Sequence, residues 1–312
     1  MEYLHRNKGL FEEAINLVTH HTGISPQIVE KDYYVTMILR LLSEKVPYIV
    51  FKGGTSLSKC HHVIKRFSED IDIAIDDTIS QSEKRNLKAS ILETVDTLGL
   101  SVGNLDNIRS RRDYNRYEIA YISVVEDKNE FLQSMVLLET SFTTTSFPTE
   151  ILPISSYIGG MLLEEAPELI QQYALENFYM KVQSIERTLI DKIFAICDYY
   201  MQGKVQRHSR HLYDIYKLLP LVSLDENFKT LVNEVREVRK KSAICVSAQD
   251  DVDIVQILEA IIAEDVYKSD YTLLTRNLLE EVVLYEDVIV ALSSVLASGV
   301  FANGQKEKDY VE

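Results

Sequence analysis

The sequence has few cysteines, no apolar stretch long enough for a membrane span and a deficit of positive charge. Its three cysteines, Cys60, Cys197 and Cys245, match no metal-ligand spacing. An odd number of isolated cysteines predicts reduced thiols, which favours a cytoplasmic protein. The N-terminal residues are charged and lack the apolar core of a signal peptide.

The longest apolar run extends from Val288 to Phe301 and is interrupted by serines. It is shorter than the ~20 apolar residues that cross a bilayer. This run therefore predicts a buried helix, and we expect no membrane segment.

Negative charge dominates, with 48 Asp and Glu against 33 Lys and Arg, a formal net charge of −15. This balance argues against a protein that coats nucleic acid non-specifically, because such binding depends on cationic side chains. Two clusters of basic residues could still bind RNA locally, and an ordinary solvated surface is an equally good interpretation of both. The candidate patches comprise Arg109, Arg111, Arg112 and Arg116 in one segment, and Arg236, Arg239, Lys240 and Lys241 in another.

The most informative stretch runs from residue 48 to residue 77, YIVFKGGTSLSKCHHVIKRFSEDIDIAIDD. It predicts a short apolar strand, a Gly-Gly turn, a helix and a second strand that carries Asp70 and Asp72. Because strand side chains alternate, the two aspartates share one face while the isoleucines between and after them share the other. One face of this strand is predicted to be catalytic and the other to be core.

Each residue type in this stretch suits phosphate chemistry. Gly53 and Gly54 allow backbone amides to approach a triphosphate, and Thr55 and Ser56 add hydroxyl donors. Two carboxylates at i and i+2 can share Mg²⁺ with substrate phosphates. The stretch predicts phosphoryl or nucleotidyl transfer, and it matches neither a P-loop nor a dinucleotide fingerprint.

The rest of the chain predicts an α+β protein with two domains, at residues 1–150 and 160–312. Residues 1–45 have helical periodicity, with the charged Glu30, Lys31 and Asp32 expected on a solvated face. Strands are expected at 114–125 and 135–142, joined by a polar hairpin loop over 126–134. Hydroxyl residues, prolines and a Gly pair between 143 and 160 predict the domain boundary, and the pattern beyond residue 162 is almost wholly helical.

The motifs GGTSLSK and RFSEDIDI resemble those of the polymerase β-type nucleotidyltransferase superfamily, and specifically of the AbiEii/AbiGii toxin family of type IV toxin–antitoxin systems. The resemblance implies an N-terminal nucleotidyltransferase domain with a mixed or antiparallel sheet and flanking helices, and a C-terminal helical bundle. The resemblance continues in two later segments, a Thr-Leu-x-x-Lys segment that ends at Lys192 and an Arg-x-x-x-Asp segment that ends at Asp214. They supply Lys192 and Asp214 as catalytic residues beside Asp70 and Asp72.

The resemblance also implies the other site residues. A third metal carboxylate is expected on a later strand, where Glu139 is the first candidate and Glu118 the reserve; a solvated position is the alternative for Glu139. Mg²⁺ would be bound by Asp70, Asp72 and Glu139. The nucleotide would be bound by Gly53, Gly54, Thr55, Ser56, Lys59, Arg66 and Ser68.

The implied function is Mg²⁺-dependent transfer of a nucleoside monophosphate from NTP to RNA, with the 3′ end of tRNA as the expected acceptor. A separately encoded antitoxin is the expected partner. Two alternatives stay open: an enzyme that modifies a protein or a small molecule, and a nucleotide-binding regulatory module without catalysis. The three carboxylates favour the enzymes, because a pure binder does not need a set of metal ligands.

Overall fold

The structure is a computed structural model that describes residues 2–66, 68, 70–125 and 133–302. The chain forms two compact units. The first consists of Met1–His62 and Ser68–Gln183, and the second of Val63–Phe67 and Ser184–Glu312. The chain thus passes from the first unit to the second near residue 183, rather than in the 150–160 segment that the sequence indicated.

A mixed seven-stranded sheet forms the centre of the first unit. Its strand order is β3-β4-β5-β2-β1-β7-β6, with parallel pairs β2–β5 and β1–β7 and antiparallel pairs elsewhere. The α+β prediction with a mixed sheet is confirmed. The strands are β1 Ile49–Lys52, β2 Ile71–Ile75, β3 Ser101–Val102, β4 Tyr114–Ala120, β5 Met135–Ser141, β6 Thr149–Ile154 and β7 Phe178–Gln183.

The alternation of side chains gives this sheet one apolar and one largely polar face. Ile71, Ile73, Leu138 and Tyr117 belong to the buried core, while the residues between them along the same strands include the charged ones. The apolar face follows from the hydrophobic effect, since burying such side chains removes their surface from water. The polar face is therefore the one that carries candidate chemistry.

Six helices accompany the sheet within the described part of the first unit. Two of these helices begin with clear capping signals: Pro26 occupies the first turn after the Ser25 cap, and Ser80 forms a capping box with Glu83. The helices are α1 Lys8–Thr22, α2 Pro26–Lys45, α3 Gly53–Lys59, α4 Gln81–Thr97, α5 Tyr157–Glu165 and α6 Pro167–Gln172.

The prediction of a solvated face for Glu30, Lys31 and Asp32 is wrong. Glu30 and Lys31 are buried, and the Glu30 carboxylate accepts hydrogen bonds from Ser123 Oγ at 2.5 Å and Val124 N at 2.8 Å. Helix α2 packs against α1, α4, α5 and strand β5. It is enclosed on several sides, so these polar groups are paired inside the unit instead of facing water.

Two strands occupy residues that the sequence assigned to a linker and to helices. Strand β6 carries Pro153 and forms the edge of the sheet, where a proline removes no ladder hydrogen bond. Strand β7 pairs with β6 and with β1. Both strands are stabilised by pairing with residues that are distant in the chain. The local composition therefore predicted a linker and helices in their place. The predicted hairpin of β4 and β5 is present, and residues 126–132 of its loop lie outside the described residues.

The second unit is helical over its described residues. Val288, Leu292 and Val295 are buried, which confirms the prediction of a buried helix in the longest apolar run. All three cysteines are buried and free. Over the residues that the structure describes, no helix is both long and apolar enough to cross a membrane. The helices are α7 Ile185–Met201, α8 Arg210–Leu218, α9 Glu226–Arg239, α10 Ile254–Ala263, α11 Lys268–Leu273 and α12 Tyr285–Ser298.

The short segment Val63–Phe67 belongs to the second unit although it lies between α3 and β2 in the chain. Arg66 forms a β-bridge with Leu279, and Lys65 O accepts a hydrogen bond from Glu280 N at 2.9 Å. Lys65 N donates to the Tyr213 hydroxyl at 2.9 Å. These backbone contacts secure the segment within the helical unit.

Candidate active site

Four charged residues form a row across the polar face of the sheet. The strand register pairs Lys52 with Asp72, Asp72 with Glu139, and Glu139 with Arg116. Directly opposed residues on neighbouring strands lie about 5 Å apart and share a face. Two adjacent carboxylates are thus flanked by a cation on each side, an arrangement that suits a metal–triphosphate substrate.

Asp70 and Gly53 add two further features of a binding site. Asp70 lies just before β2, and its buried Oδ1 atom has no hydrogen-bond partner among the residues that the structure describes. Gly53 has φ +83°, and a Cβ atom there would lie 1.9 Å from Asp72 Oδ2. A buried unpaired carboxylate oxygen costs free energy unless a ligand satisfies it. The backbone of Gly53 thus approaches Asp72 at a distance that only glycine allows.

The register distinguishes the two candidates for the third carboxylate. Glu139 lies directly beside Asp72, whereas Glu118 lies opposite Leu137, two residue pairs farther along the hairpin. Tyr114 lies opposite Ser141 and therefore shares the face of Glu139. Burial, followed by the charge of Glu139, raises the pKa of the Tyr114 phenol, which therefore keeps its proton.

The hydroxyl residues of the motif lie on or near α3. Thr55 Oγ1 and Ser68 Oγ are 3.0 Å apart, so the structure brings these two predicted residues together. Ser56 Oγ donates to Gly53 O at 2.9 Å, and Ser56 is fully buried. Gly53 and Gly54 form the first residues of α3 rather than the separate turn that the sequence predicted, and the Ser56 hydroxyl stabilises this start of the helix.

The contacts of Lys59 are with residues outside the carboxylate row. Its ammonium forms an ion pair with Asp32 Oδ1 and donates to Ser155 O at 2.9 Å. The other Asp32 oxygen accepts from Tyr157 N, at the start of α5, at 2.8 Å. Lys59 thus connects three helices of the first unit, which is a structural role that the sequence motif did not indicate.

The second unit contains a compact ion cluster around Asp214. Arg66 Nε lies 2.6 Å from Asp214 Oδ1, and another Arg66 nitrogen, Nη2, lies 2.8 Å from Oδ2. Lys192 Nζ lies 2.8 Å from Asp214 Oδ2 and 3.4 Å from His211 Nδ1. Arg66, which is expected to contact the nucleotide, is a buried partner of Asp214. Lys192 and Asp214 are in direct contact, as an orienting role for Asp214 requires.

Electrostatics fix the protonation states in this cluster. Burial alone would raise the pKa of Asp214, but Arg66 and Lys192 lower it by more. Burial lowers the pKa of Lys192, an effect that Asp214 opposes. Burial and the nearby Lys192 charge hold the pKa of His211 well below its usual value. The cluster therefore pairs one carboxylate with two cations beside a neutral imidazole.

The two basic segments differ in the structure. Arg236 donates to three main-chain oxygens of residues 248–252, and Arg239 pairs with Asp191 and Asp198. These side chains hold the second unit together. In the other segment, Arg111, Arg112 and Arg116 are exposed, and Arg116 belongs to the charged row.

No group of three or more His, Cys, Asp or Glu residues within the described ranges is arranged to hold a metal ion. This agrees with the usual binding of Mg²⁺ by one or two carboxylates together with substrate phosphates and water. The chemistry of Asp70 and Asp72 fits such a site, because Asp70 has a buried oxygen to which none of the described residues hydrogen-bonds.

The sheet, its carboxylate row and the Gly-Gly pair define an enzyme of nucleotidyl transfer. Residues 38–291 match the family model described as nucleotidyl transferase AbiEii toxin, type IV TA system, and the chain therefore belongs to this family. It is a nucleotidyltransferase and a toxin of the type IV class, and this membership implies an NTP substrate and a cognate antitoxin.

A solved structure supports the fold. MenT4, a nucleotidyltransferase toxin from Mycobacterium tuberculosis H37Rv, superposes with a TM-score of 0.51 at 17% sequence identity. The match covers 91% of this chain and 88% of that chain. A comparison with curated proteins gives no match.

Sequence reasoning missed three residues at the site. Lys52 and Tyr114 received no role, and Arg116 was considered only as part of a basic patch. The alternation of exposed and buried residues along β4 is a signal that could have assigned Tyr114 and Arg116 to the polar face. The register of β4 against Glu139 required the structure.

Proposed function

We propose that this protein transfers a nucleoside monophosphate from NTP to an RNA hydroxyl in the cytoplasm, with Mg²⁺ as cofactor and the 3′ end of tRNA as acceptor. The observation that carries the proposal is the row Lys52, Asp72, Glu139 and Arg116, with Asp70 and Gly53 next to it. Family membership supports the chemistry. A pure nucleotide binder is disfavoured, because adjacent carboxylates repel a triphosphate unless a cation joins them.

Asp70 and Asp72 are the residues that would hold the cation together with substrate phosphates, while Glu139, beside Asp72 in the sheet, would act on the acceptor. When bound, Mg²⁺ neutralises charge on the triphosphate and on the departing pyrophosphate. Asp70 Oδ1 is the best supported ligand atom, since it is buried and no residue in the described part of the chain hydrogen-bonds to it.

The remaining residues act on the triphosphate and the acceptor. Gly53 and Gly54 let the main chain approach the phosphates, and Thr55 and Ser68 offer hydroxyl groups. Lys52 and Arg116 contribute positive charge at the two ends of the row. Glu139 orients the acceptor hydroxyl and receives its proton during attack.

Lys192 and Asp214 have a supporting role in this proposal. Lys192 supplies a cation to phosphate, and Asp214 fixes its ammonium through the 2.8 Å contact. His211 is neutral and accepts from the same ammonium, which further restricts its position. Lys59 stabilises the first unit through its ion pair with Asp32, and Arg66 stabilises the second unit through its ion pair with Asp214.

The RNA acceptor is supported by the basic segment before β4. Arg111, Arg112 and Arg116 are exposed and lead directly into the charged row. On a protein with a net charge of −15, a local cationic segment is required to bind a polyanion. Proteins and small molecules are the competing acceptors.

The test is incorporation of each α-labelled NTP, with Mg²⁺, into total tRNA and into the protein, with Asp70→Ala in parallel. We expect label on tRNA that is absent with the variant. Prior periodate oxidation of the tRNA destroys the 3′ diol and should abolish labelling. Label that persists after oxidation would contradict the 3′ end, and turnover by folded Asp70→Ala would contradict the assigned site.

A further inference from the structure

Tyr114 is an exposed aromatic residue on the same face of the sheet as the carboxylates. It begins β4 opposite Ser141, which makes it the diagonal neighbour of Glu139. Diagonal neighbours on a sheet lie about 7–8 Å apart, within reach of an aromatic side chain. Tyr114 is 48% exposed, although burial of a tyrosine ring would remove a large apolar area from water. An aromatic surface is thus open to a ligand beside the charged row.

Arginines accompany this ring both in the sequence and in the sheet. Arg111 and Arg112 precede it and are exposed, and Arg116, two residues later, shares its face. An aromatic ring among cationic side chains is the usual composition of a surface that binds single-stranded nucleic acid, because bases stack on the ring while cations bind the phosphates. The combination therefore indicates a nucleotide of an RNA as the ligand.

Contacts on both sides of Tyr114 hold its backbone in place. Asn115 is buried, and its side-chain amide accepts from Arg109 N at 2.9 Å and donates to Arg109 O at 3.0 Å. On the other side, Asp113 O accepts a hydrogen bond from Phe142 N at 2.8 Å. A ring whose chain neighbours are fixed loses little conformational freedom when a base stacks on it.

We propose that Tyr114 stacks on the base of the terminal nucleotide of the RNA acceptor. This inference rests on the proposed function, in which Glu139 acts on the acceptor hydroxyl. The diagonal spacing of these two residues is comparable to the distance between the 3′ hydroxyl and the base of one nucleotide. With the hydroxyl at Glu139, the base of the same nucleotide reaches the ring, and Arg111 and Arg112 supply charge for the preceding phosphates. Because stacking tolerates every base, the ring positions the RNA end without reading its sequence.

The first experiment measures the Kd of the full-length protein for tRNA, without NTP, at several salt concentrations. We expect Tyr114→Ala to raise the Kd about 5-fold or more at each salt concentration, which is the usual effect of losing one stacked base. Tyr114→Phe keeps the aromatic face and should bind like wild type. Arg111→Gln should instead weaken the dependence of the Kd on salt, because it removes a phosphate contact.

Tyr179 provides the matched control for Tyr114. It is 66% exposed and lies on β7, two strands beyond β2. The cation next to it on this strand, Lys181, is paired with Asp76. Tyr179→Ala removes an equally large exposed ring without affecting the proposed surface, so it should bind tRNA like wild type. An equal loss of affinity in Tyr179→Ala and Tyr114→Ala would overturn the proposal.

The second experiment tests whether the stacked base is the terminal one. A tRNA whose 3′ nucleotide lacks its base is compared with intact tRNA, for wild type and for Tyr114→Ala. Loss of the base and loss of the ring remove the same contact, so their effects on the Kd should not add. Additive effects, or a Kd for intact tRNA that Tyr114→Ala leaves unchanged, would overturn the proposal.

Transfer kinetics separate this proposal from the proposed function. Tyr114→Ala should raise the KM for tRNA and leave the KM for NTP unchanged. A raised KM for NTP alone would assign the ring to the base of the NTP and overturn the proposal. The expected effects on tRNA binding, without transfer by wild type, would support the stacking contact and contradict the proposed function. Transfer by wild type without any effect of Tyr114→Ala on tRNA binding would overturn the stacking contact and leave the proposed function standing.

Discussion

Gly53 is the residue with the least room for change in the described site. Its φ of +83° is unfavourable for other residues, and a Cβ atom would lie 1.9 Å from Asp72 Oδ2. Gly53→Ala must therefore displace the Asp72 carboxylate. We predict a loss of roughly 100-fold in kcat/KM for nucleotide transfer, the effect of misplacing a reacting group by about 1 Å.

Gly23 provides the matched control for Gly53. It has φ +74° at the end of α1, and a Cβ there would contact nothing within 4 Å. Gly23→Ala should lose about 1–2 kcal/mol of stability from backbone strain but keep its turnover. Equal activity of the two folded variants would contradict a tight contact between Gly53 and Asp72.

Asp214 allows a prediction about stability and pH. It is fully buried and contacts Arg66 and Lys192. Asp214→Asn leaves two buried cations without a counter-charge and should destabilise the protein by about 3–5 kcal/mol at pH 7. Urea unfolding measures this, with the exposed Asp251→Asn as a neutral control.

The pH dependence of this effect follows from the lowered pKa of Asp214. Its ordinary value is 3.8 and its folded value lies below that, so its contribution is fully present above about pH 3.8. The contribution is lost as the pH falls further, because the unfolded state then binds the proton first. The stability gap between wild type and Asp214→Asn should therefore narrow only below that pH. A gap that already closes near pH 6 would contradict the assignment.

At the scale of elements, Asp32 connects α2, α3 and the start of α5 through Lys59 and Tyr157 N. Asp32→Asn keeps an oxygen for Tyr157 N but leaves the buried Lys59 ammonium without its counter-charge. We predict a loss of about 3 kcal/mol in unfolding free energy, measured by urea denaturation.

The double variant Asp32→Asn with Lys59→Gln completes the test of this ion pair. Because it removes both charges, it should be more stable than Asp32→Asn alone. Additive losses in the two single variants would show that the pair does not couple the helices.

The motif elements were predictable from sequence because their signals are local. The Gly-Gly pair, the alternation around Asp72 and the caps at Ser25 and Ser80 need only neighbouring residues. Strands β6 and β7 were missed because their ladder partners are distant in the chain. The burial of Glu30 was missed for the same reason, since Ser123 and Val124 lie more than ninety positions away.

At the scale of the whole molecule, the sequence predicted two domains but not how the chain moves between them. The segment Val63–Phe67 belongs to the second unit, in which Lys65 and Arg66 pair with residues 279–280, and the chain then continues into β2 of the first unit. This excursion explains why Arg66, four residues before Asp70, pairs with Asp214. No local pattern encodes it, because the bridge joins residues that are more than two hundred positions apart.

The central claim is that the carboxylates on the polar face of the sheet perform nucleotide transfer. The most direct measurement is single-turnover transfer of labelled NMP by Asp72→Asn and Glu139→Gln, with Asp77→Asn and Glu118→Gln as matched controls. We predict losses of about 10³-fold or more for the first two, and near wild-type rates for the exposed Asp77 and for Glu118, which lies outside the row. Wild-type transfer by a folded Asp72→Asn protein would contradict the account.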